Sequence, residues 1–242
     1  MSLNLFEETT DGIQLPHPPI SLRSLLVVES ALCEAWRLMR DEPRGTFKLD
    51  EGDEDDITLE LHERLYDEVF SKGLIPGFNT EVFASVGREP KIRNFNRTHP
   101  DKMPDLFIQF VDRPVGALYS QHGIFIECKP VDDDHAVGKH YCDKGIIRFI
   151  QGDYAWTMTS VLMIGYARSD YTILPKLPDT LALASRAKKI PTLDAPQPCQ
   201  HSQAGPINEV VHISRHNRTF KYVENGKAAP PITLRHLWLK RD

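Results

Sequence analysis

Three charged residues stand at the ends of two apolar runs that otherwise have the composition of buried strands. Asp105 precedes the apolar run in MPDLFIQF (103–110). Glu127 and Lys129 end the run in GIFIECKP (123–130). Charged side chains are rarely buried in soluble proteins unless they pair with opposite charges or bind a metal. These residues therefore form either ordinary ion pairs at strand ends or a metal site between two strands.

The alternation of side chains along a strand determines how these residues can meet. Glu127 and Lys129 point to one face of their strand, and Cys128 points to the other. If the two strands are neighbours, Asp105 lies opposite Glu127, and the two carboxylates converge on Mg²⁺, a cation that takes oxygen ligands. Lys129 can hold or deprotonate the attacking water and neutralise charge that develops on a phosphate. These parts suit in-line attack of water on a phosphodiester.

The period of the apolar residues predicts the elements that position this group. An apolar stripe with Ser21 as its cap predicts a first helix, and a second helix ends at Gly73. β-Branched and aromatic runs predict strands on both sides of a third helix. After Arg168 the chain is Pro-rich, and we expect it to be irregular apart from short strands. The expected ranges are 21–42, 55–72 and 137–152 for helices, and 81–87, 104–111, 123–129, 159–167, 208–216 and 232–239 for strands.

Pro104-Asp105, followed after twenty-one intervening residues by Glu127-Cys128-Lys129, resembles the motif of the PD-(D/E)XK nuclease superfamily. The run IFI before Glu127 and the expected order of elements over about residues 55–167 are also similar to that superfamily. The resemblance implies an α/β (α+β) fold class, with a restriction-endonuclease-like core whose central mixed β-sheet is flanked by helices. The expected regions are an acidic N-terminal arm and helix (1–54), the nuclease core (55–168) and an irregular C-terminal extension with short strands packed on the core (169–242).

The resemblance also implies a reaction. Asp105 and Glu127 would ligate Mg²⁺, for which Mn²⁺ would substitute. The backbone carbonyl of Cys128 would be another ligand, and Lys129 would serve the water. The implied activity is metal-dependent hydrolysis of nucleic acid, DNA rather than RNA, by an endonuclease of a prokaryotic restriction, phage-defence or repair system. The alternative is a catalytically silent or partner-activated binding module on the same fold, and the intact trio favours the enzyme.

A fourth carboxylate is expected from the helix before the first strand. The segment HERLYDEVFSKG (62–73) resembles the Glu-x-x-Leu…Gly form of resolvase-like members, which nominates Glu63 as a metal ligand. Glu60 and Glu68 are alternatives on the same helix. An acidic, solvated helix face explains all three equally well.

The third helix carries a polar stripe that could contact a nucleic acid. Lys144, Arg148 and Gln151 recur at helical spacing, and the two cations could clamp backbone phosphates. A solvent-exposed stripe is the simpler alternative. Some relatives carry Gln-x-x-x-Tyr on this helix, but Gln151 and Tyr154 are one residue too close, so that subgroup is not supported.

The densest basic segment, GREPKIRNFNRTHPDK (87–102), connects the first two expected strands. Arg93 and Arg97 could contact phosphates there, and Phe95 could stack on a base. The alternative is a solvated loop without a partner.

Charge is distributed unevenly along the chain. The net charge is −5, but residues 1–72 hold seventeen Asp or Glu against seven Lys or Arg, and the remainder carries a net +5. The second part of the chain therefore suits a polyanion. The acidic N-terminal region could dock a protein partner, and its segment LDEGDEDD (49–56) could lie over the basic face and restrain activity until a partner displaces it.

A zinc site is the main competing interpretation near the C-terminus. Cys199, His201, His212 and His216 have side chains that zinc prefers, in Cys-x-His and His-x-x-x-His spacings. Their irregular separation, and the lack of a second Cys beside Cys199, favour surface or core histidines instead. We expect His236 and Trp238 to anchor the C-terminus in the core.

Composition indicates a folded protein without membrane segments. The chain has 242 residues, enough for a core without disulfides, with 40% hydrophobic and 26% charged residues. No secretory signal is recognisable, and the longest apolar stretch is too short to span a bilayer. Four Cys without repeating spacing suggest reduced thiols and a cytoplasmic location. A homo-oligomer is compatible with the sequence.

Overall fold

The computed structural model describes residues 12–168, 170–201 and 210–242. Its centre is one mixed seven-stranded sheet in the order β1-β2-β3-β4-β7-β6-β5. The strands are β1 (Phe83–Arg88), β2 (Leu106–Phe110), β3 (Gly123–Val131), β4 (Ser160–Ala167), β5 (Thr192–Pro198), β6 (His212–His216) and β7 (Ile232–Lys240). The predicted α/β class, with a central mixed sheet flanked by helices, is confirmed.

Five α-helices and three other helical segments surround this sheet in the described residues. The α-helices are α1 (Leu22–Asp41), α2 (Glu54–Glu63), α3 (Ile147–Gln151), α4 (Ile173–Ala182) and α5 (Ala184–Ala187). The helix of α2 continues as a π-helical segment, Arg64–Phe70. A second π-helical segment, Val137–Ile146, leads directly into α3. A short 3₁₀ helix, Tyr119–Gln121, precedes β3.

Strand register places the first expected site residues opposite each other. β1, β2 and β3 pair antiparallel, and Leu106 of β2 lies across from Ile126 of β3. Continued by one residue, this register brings Asp105 opposite Glu127. β3 pairs in parallel with β4, and β4 pairs in parallel with β7. The candidate residues therefore lie on strands that have a neighbour on both sides.

Both faces of the sheet are buried, which explains why its central strands are apolar almost throughout. On one face, residues such as Ile108 and Ile126 pack with α1, α2 and its π-helical continuation. On the other, residues such as Phe125 and Met163 pack with the Val137–Ile146 segment, α3 and α4. Glu127 and Lys129 are consequently buried charges, and their partners must lie inside the protein.

The N-terminal helices begin at side-chain caps. Ser21 accepts a hydrogen bond from the backbone N–H of Ser24 at 3.0 Å, as predicted for the start of α1. Asp53 accepts one from Asp56 N–H at 2.9 Å, which starts α2 at Glu54. The expected first residue of this helix was 55, so the acidic segment 49–56 supplies both the cap and the first turn.

The region after Arg168 is more regular than the sequence predicted. In α4, Ile173, Leu177 and Leu181 are buried at four-residue spacing. The backbone is non-helical at Leu174, so the regular turns start at Pro175 and Pro178 is the fourth residue from that start, where a helix leaves the N–H without an intrahelical partner. β5 contains two prolines but lies at the edge of the sheet, where a missing N–H does not break a ladder.

Other expectations for this part of the chain are confirmed where it is described. β6 covers His212–His216 of the strand predicted at 208–216, while residues 208 and 209 lie outside the described residues. The first eleven residues of the expected N-terminal arm also lie outside them. His236 and Trp238 are buried in β7, and the four cysteines are buried. In the described ranges, no helix combines the length and apolar character needed to cross a membrane.

Candidate active site

Asp105, Glu127 and Lys129 come together at one end of β2 and in the middle of β3. The Nζ atom of Lys129 lies 2.9 Å from Glu127 Oε1 and 3.2 Å from Asp105 Oδ2. It also donates a hydrogen bond to the backbone carbonyl of Cys128 at 2.7 Å. Asp105 is held in place because its Oδ2 accepts a hydrogen bond from the Cys128 N–H at 2.6 Å.

A third carboxylate, which the sequence analysis did not nominate, completes this group. Glu54 Oε1 accepts a hydrogen bond from Lys129 Nζ at 2.6 Å. Glu54 is the first residue of α2. The signal for it was present in the sequence, since Asp53 with Asp56 three residues later is a typical helix start. Because the helix was predicted from residue 55, Glu54 was assigned to the preceding acidic segment.

The acidic residues proposed from the resemblance lie elsewhere on the same helix. Glu63 is nine residues beyond Glu54, about 14 Å along a helix axis. Its side chain is 46% exposed and lies 4.0 Å from Arg44. Glu60 and Glu68 pair with the buried Arg64 at 2.7 Å and 2.6 Å. The structure therefore brings Glu54 to Lys129, and gives Glu60, Glu63 and Glu68 other partners.

Glu127 is the most buried carboxylate of the group, with no exposed surface. Its Oε1 lies 3.0 Å from Arg148 Nη1 in addition to Lys129. Neither cation is aligned for a hydrogen bond to Oε1, so that buried oxygen accepts none from the described residues. Burial, reinforced by the charge of Asp105, raises the pKa of Glu127 to about 7 against the opposing effect of the two cations.

The charge of Lys129 is stabilised by the same carboxylates. Burial alone would lower its pKa, but Glu127, Asp105 and Glu54 together raise it well above the usual value. A lysine ammonium has three donors and no acceptor. Lys129 is thus a fixed cation among oxygen atoms, suited to donating hydrogen bonds and neutralising negative charge.

Tyr154 also belongs to this group, although it lies beyond the end of α3 and not on the helix itself, where the Gln-x-x-x-Tyr pattern would have placed a tyrosine. Its hydroxyl donates a short hydrogen bond to Glu127 Oε2. α3 ends at Gly152, whose φ of 74° is left-handed, and Ala155 has a φ of 52°. The left-handed Gly152, two residues before Tyr154, reverses the chain and brings Tyr154 back over β3, a path that residue spacing along a helix does not reveal.

A glycine lets the π-helical segment approach the candidate site closely. A Cβ added at Gly145 would lie 2.8 Å from Met163 Cε and 3.4 Å from Lys129 Cγ. The lack of a side chain at Gly145 makes room for the stems of Lys129 and Glu127, which lie directly beneath it.

The expected nucleic-acid contacts on this helix separate into two groups. Arg148, with 36% of its side chain exposed, turns inward to Glu127. Lys144 and Gln151 are exposed. Arg148 therefore belongs to the electrostatics of the candidate site, while Lys144 and Gln151 remain available to a polymer at the surface.

In the basic loop 87–102 the arginines are exposed, whereas the phenylalanine packs against another aromatic ring. Arg93 and Arg97 are exposed, and Arg97 lies 3.6 Å from Glu224. The ring of Phe95 stacks on Phe220, with centroids 4.5 Å apart, so it is already used within the protein. Stacking of Phe95 on a base stays a prediction, and Phe220 already covers part of its ring.

The acidic segment 49–56 is part of the fold. The backbone carbonyls of Asp50 and Gly52 accept hydrogen bonds from the guanidinium of Arg241, at 3.3 Å for Asp50. Arg168 also donates to the Asp50 carbonyl, at 2.7 Å. Its backbone and its helix cap therefore anchor this segment, and its role as a cover over the basic face stays a prediction.

The residues considered for zinc are not arranged to bind it. His216 is buried, and its two ring nitrogens lie 2.7 Å from Ser214 Oγ and 3.2 Å from Thr192 Oγ1. Cys199 is buried next to Arg235, with its sulfur 3.5 Å from Nη2. The ring of His212 faces the Val210 carbonyl at 3.0 Å. The interpretation as ordinary core and surface residues accounts for these contacts.

The oxygen atoms around Lys129 fit a hard divalent cation by their chemistry. In the described ranges, no three Asp, Glu, His or Cys side chains are arranged as a metal-binding group as they stand. The ammonium of Lys129 occupies the space among three carboxylates and one carbonyl, at 2.6 to 3.2 Å from each. An all-oxygen set with a buried oxygen that accepts no hydrogen bond is the type that Mg²⁺ takes.

Comparisons with known proteins give no relative for this chain. No protein-family model, no curated protein and no solved structure matches it.

Proposed function

We propose that this protein is a metal-dependent nuclease that hydrolyses phosphodiester bonds in nucleic acid. The observation that carries the proposal is the convergence of Glu54, Asp105, Glu127 and the Cys128 carbonyl on the ammonium of Lys129. Glu127 and Lys129 are buried and two partly exposed carboxylates adjoin them, and proteins seldom bury such charges without a use for them, because desolvation of each charge costs several kcal/mol. Perturbed, clustered ionisable groups are typical of functional sites.

Each residue has a role in this proposal. Asp105, Glu127, Glu54 and the Cys128 carbonyl would hold Mg²⁺, with Mn²⁺ as a substitute. The bound cation supplies Lewis-acid stabilisation of the charge that develops on the phosphate. Lys129 donates hydrogen bonds to the attacking water and to phosphate oxygens. Tyr154 and Arg148 hold Glu127 in its orientation. Water forms the new P–O bond, and cleavage of the P–O3′ bond leaves a 5′-phosphate.

The architecture supports placing this site in a restriction-endonuclease-like core. A helix is followed by three antiparallel strands, a helical segment and a strand parallel to the third. Asp105 stands before the second of these strands, and Glu127 and Lys129 stand on the third. This is the order of elements that the resemblance implies.

We assign DNA as the polymer. The net charge of +5 beyond residue 72 and the exposed Lys144, Arg93 and Arg97 support a polyanionic substrate. An endonuclease of a prokaryotic restriction, phage-defence or repair system would use these features.

A catalytically silent binding module is the second candidate, and one observation favours it. Lys129 and Arg148 already neutralise the carboxylates from within the protein. A chain that no longer bound a metal would keep such pairs to hold its fold together. The two candidates differ in whether a metal can displace these internal cations.

Cleavage assays with matched variants test the proposal. Purified protein is incubated with duplex and single-stranded DNA and RNA in Mg²⁺, Mn²⁺ or EDTA. Asp105→Asn and Lys129→Ala should each abolish metal-dependent cleavage, while Lys72→Ala, an exposed lysine on another surface, should retain it. Activity that survives both site substitutions contradicts the assignment. Folded protein that is inactive on every polymer supports the binding module.

A further inference from the structure

A cavity with basic walls lies beside the candidate active site. Its volume is about 430 Å³, and the residues that define it include Lys91, Arg93, Arg97, Gln121 and Trp156. No acidic residue is among the described residues that line it. The volume is in the range of small-ligand pockets. We call it the basic cavity; its charge suits a phosphate-bearing ligand.

The loop that carries the cations is held rigidly. The indole N–H of Trp156 donates to the Arg93 carbonyl at 2.9 Å, and the Phe95 N–H donates to the Gly152 carbonyl at 3.0 Å. Lys102 forms an ion pair with Asp153 at 3.0 Å. A loop that is merely solvated needs no such anchoring to the segment after α3. The arrangement fixes where the basic side chains of the loop project.

Two of these basic side chains have no ionic partner among the residues that the structure describes. Among the described residues, neither Lys91 nor Arg93 forms an ion pair, and both are exposed. The cavity thus presents positive charge that the described residues leave unpaired, which a phosphate would neutralise.

The chain connects the basic cavity directly to the candidate active site. Lys102, which bridges to Ile92 at the cavity, is three residues before Asp105. Trp156 is two residues after Tyr154. Even fully extended, these separations span at most about 11 Å and 7 Å. Two short chain segments therefore join the wall of the cavity to Asp105 and to Tyr154, the hydrogen-bond partner of Glu127.

Unusual backbone conformations concentrate along the same connection. Among the described residues other than glycine, only Glu89, Arg97 and Ala155 have positive φ, at 48°, 61° and 52°. Glu89 N–H donates to the Asp105 carbonyl at 3.1 Å, Arg97 lines the cavity and Ala155 separates Tyr154 from Trp156. Such conformations cost free energy and persist mainly where a functional arrangement requires them.

We propose that the basic cavity binds one unpaired nucleotide of the substrate strand, next to the phosphodiester that is cut. The cations bind its phosphate, and the indole edge and apolar wall contact its base. A base inside an intact duplex cannot enter a concave cavity. This inference rests on the proposed function and restricts the substrate to single strands, overhangs or frayed ends.

Binding measurements in EDTA separate the cavity from cleavage. Fluorescence anisotropy compares a blunt duplex, the same duplex with a single-stranded extension, and the single strand alone. Arg93→Glu should weaken binding of the two substrates with unpaired nucleotides at least tenfold and of the blunt duplex less than threefold. The control Arg23→Glu changes an exposed arginine on α1 and should leave all three affinities unchanged. Arg93→Ala should reduce the single-strand salt slope by about 0.7.

A second variant tests the cavity without changing charge. Ser120 is exposed at its rim, so Ser120→Tyr should fill it and cause the same selective loss. Unchanged binding by Arg93→Glu and Ser120→Tyr, with metal-dependent cleavage intact, overturns this inference and leaves the proposed function standing. If the variants lose affinity equally for all three substrates, the inference that the cavity binds an unpaired nucleotide is wrong. Wild-type protein that neither binds nor cleaves any polymer overturns both.

Discussion

The ammonium of Lys129 donates a 2.6 Å hydrogen bond to Glu54, seventy-five residues earlier in the chain. This contact joins the first turn of α2 to the centre of β3. It makes the helix start a part of the candidate site, and it places a carboxylate opposite Asp105 and Glu127 across one cation. The identity of the third carboxylate is therefore a testable property of the fold.

Glu54→Gln should reduce metal-dependent cleavage at least tenfold, because it removes one of three charges that would hold the cation. Glu63→Gln is the matched control: the sequence resemblance nominated it, but its side chain is exposed beside Arg44. Its kcat/KM should stay within about twofold of wild type. The opposite ranking of the two variants in a single-turnover assay would restore Glu63 as the ligand.

Lys129→Met should destabilise the metal-free protein and increase its response to metal. Removing one partner of a buried ionic group costs about 3–5 kcal/mol, since it leaves carboxylates unpaired. In a chain of this size that corresponds to a Tm decrease of roughly 6–20 °C. Differential scanning calorimetry with millimolar Mg²⁺ should recover more of the Tm than in wild type.

The exposed Lys139→Met provides the control for this measurement. Its Tm and its response to Mg²⁺ should match those of wild type. If Lys129→Met gains nothing from Mg²⁺ or Mn²⁺, the oxygen group binds no divalent cation and serves only as a buried ionic network.

Tyr154→Phe should lower the free energy of unfolding by about 1–3 kcal/mol, because Glu127 Oε2 would lose its buried donor. Cleavage should fall as well, since Glu127 loses an orienting contact. Tyr66→Phe removes a hydroxyl from a side chain that is 44% exposed, and we expect no measurable change there. Chemical denaturation measures both. Equal stability of the two variants would mean that the Tyr154 hydroxyl is not held by Glu127.

Stability should decrease as the pH falls from 6.5 toward 4. Burial lowers the pKa of His216 to about 4, and the unfolded chain titrates near 6.5. Within this window the unfolded state binds the proton more tightly, so acid favours unfolding. His216 accounts for up to about 3 kcal/mol of this change at 1.4 kcal/mol per pKa unit. Urea unfolding at successive pH values should show a flatter dependence for His216→Gln than for the exposed control His201→Gln.

The sequence predicted the parts of the site that local rules govern. Alternation along a strand put Glu127 and Lys129 on one face, and two apolar runs located the strands. Glu54 and Tyr154 were not predicted, because tertiary placement governs them. The position of Glu54 depends on where a helix cap lies, and the position of Tyr154 depends on the left-handed Gly152 at the end of α3. The proline-containing α4 and β5 were not predicted, because the Pro-rich sequence suggested irregular structure although proline is permitted near helix starts and at sheet edges.

The position of β7 between β4 and β6 sets an order for assembly. β1, β2 and β3 are joined by antiparallel pairing, whereas β4 gains its second neighbour only from residues 232–240, about seventy residues further along the chain. Contacts of such long sequence separation slow folding, because the intervening loop must close first. Chains cut before Ile232 would leave β4 as an open edge prone to pairing with other molecules. The ionic group on β3 would then lack its support, so cleavage competence and completion of the sheet should appear together during refolding.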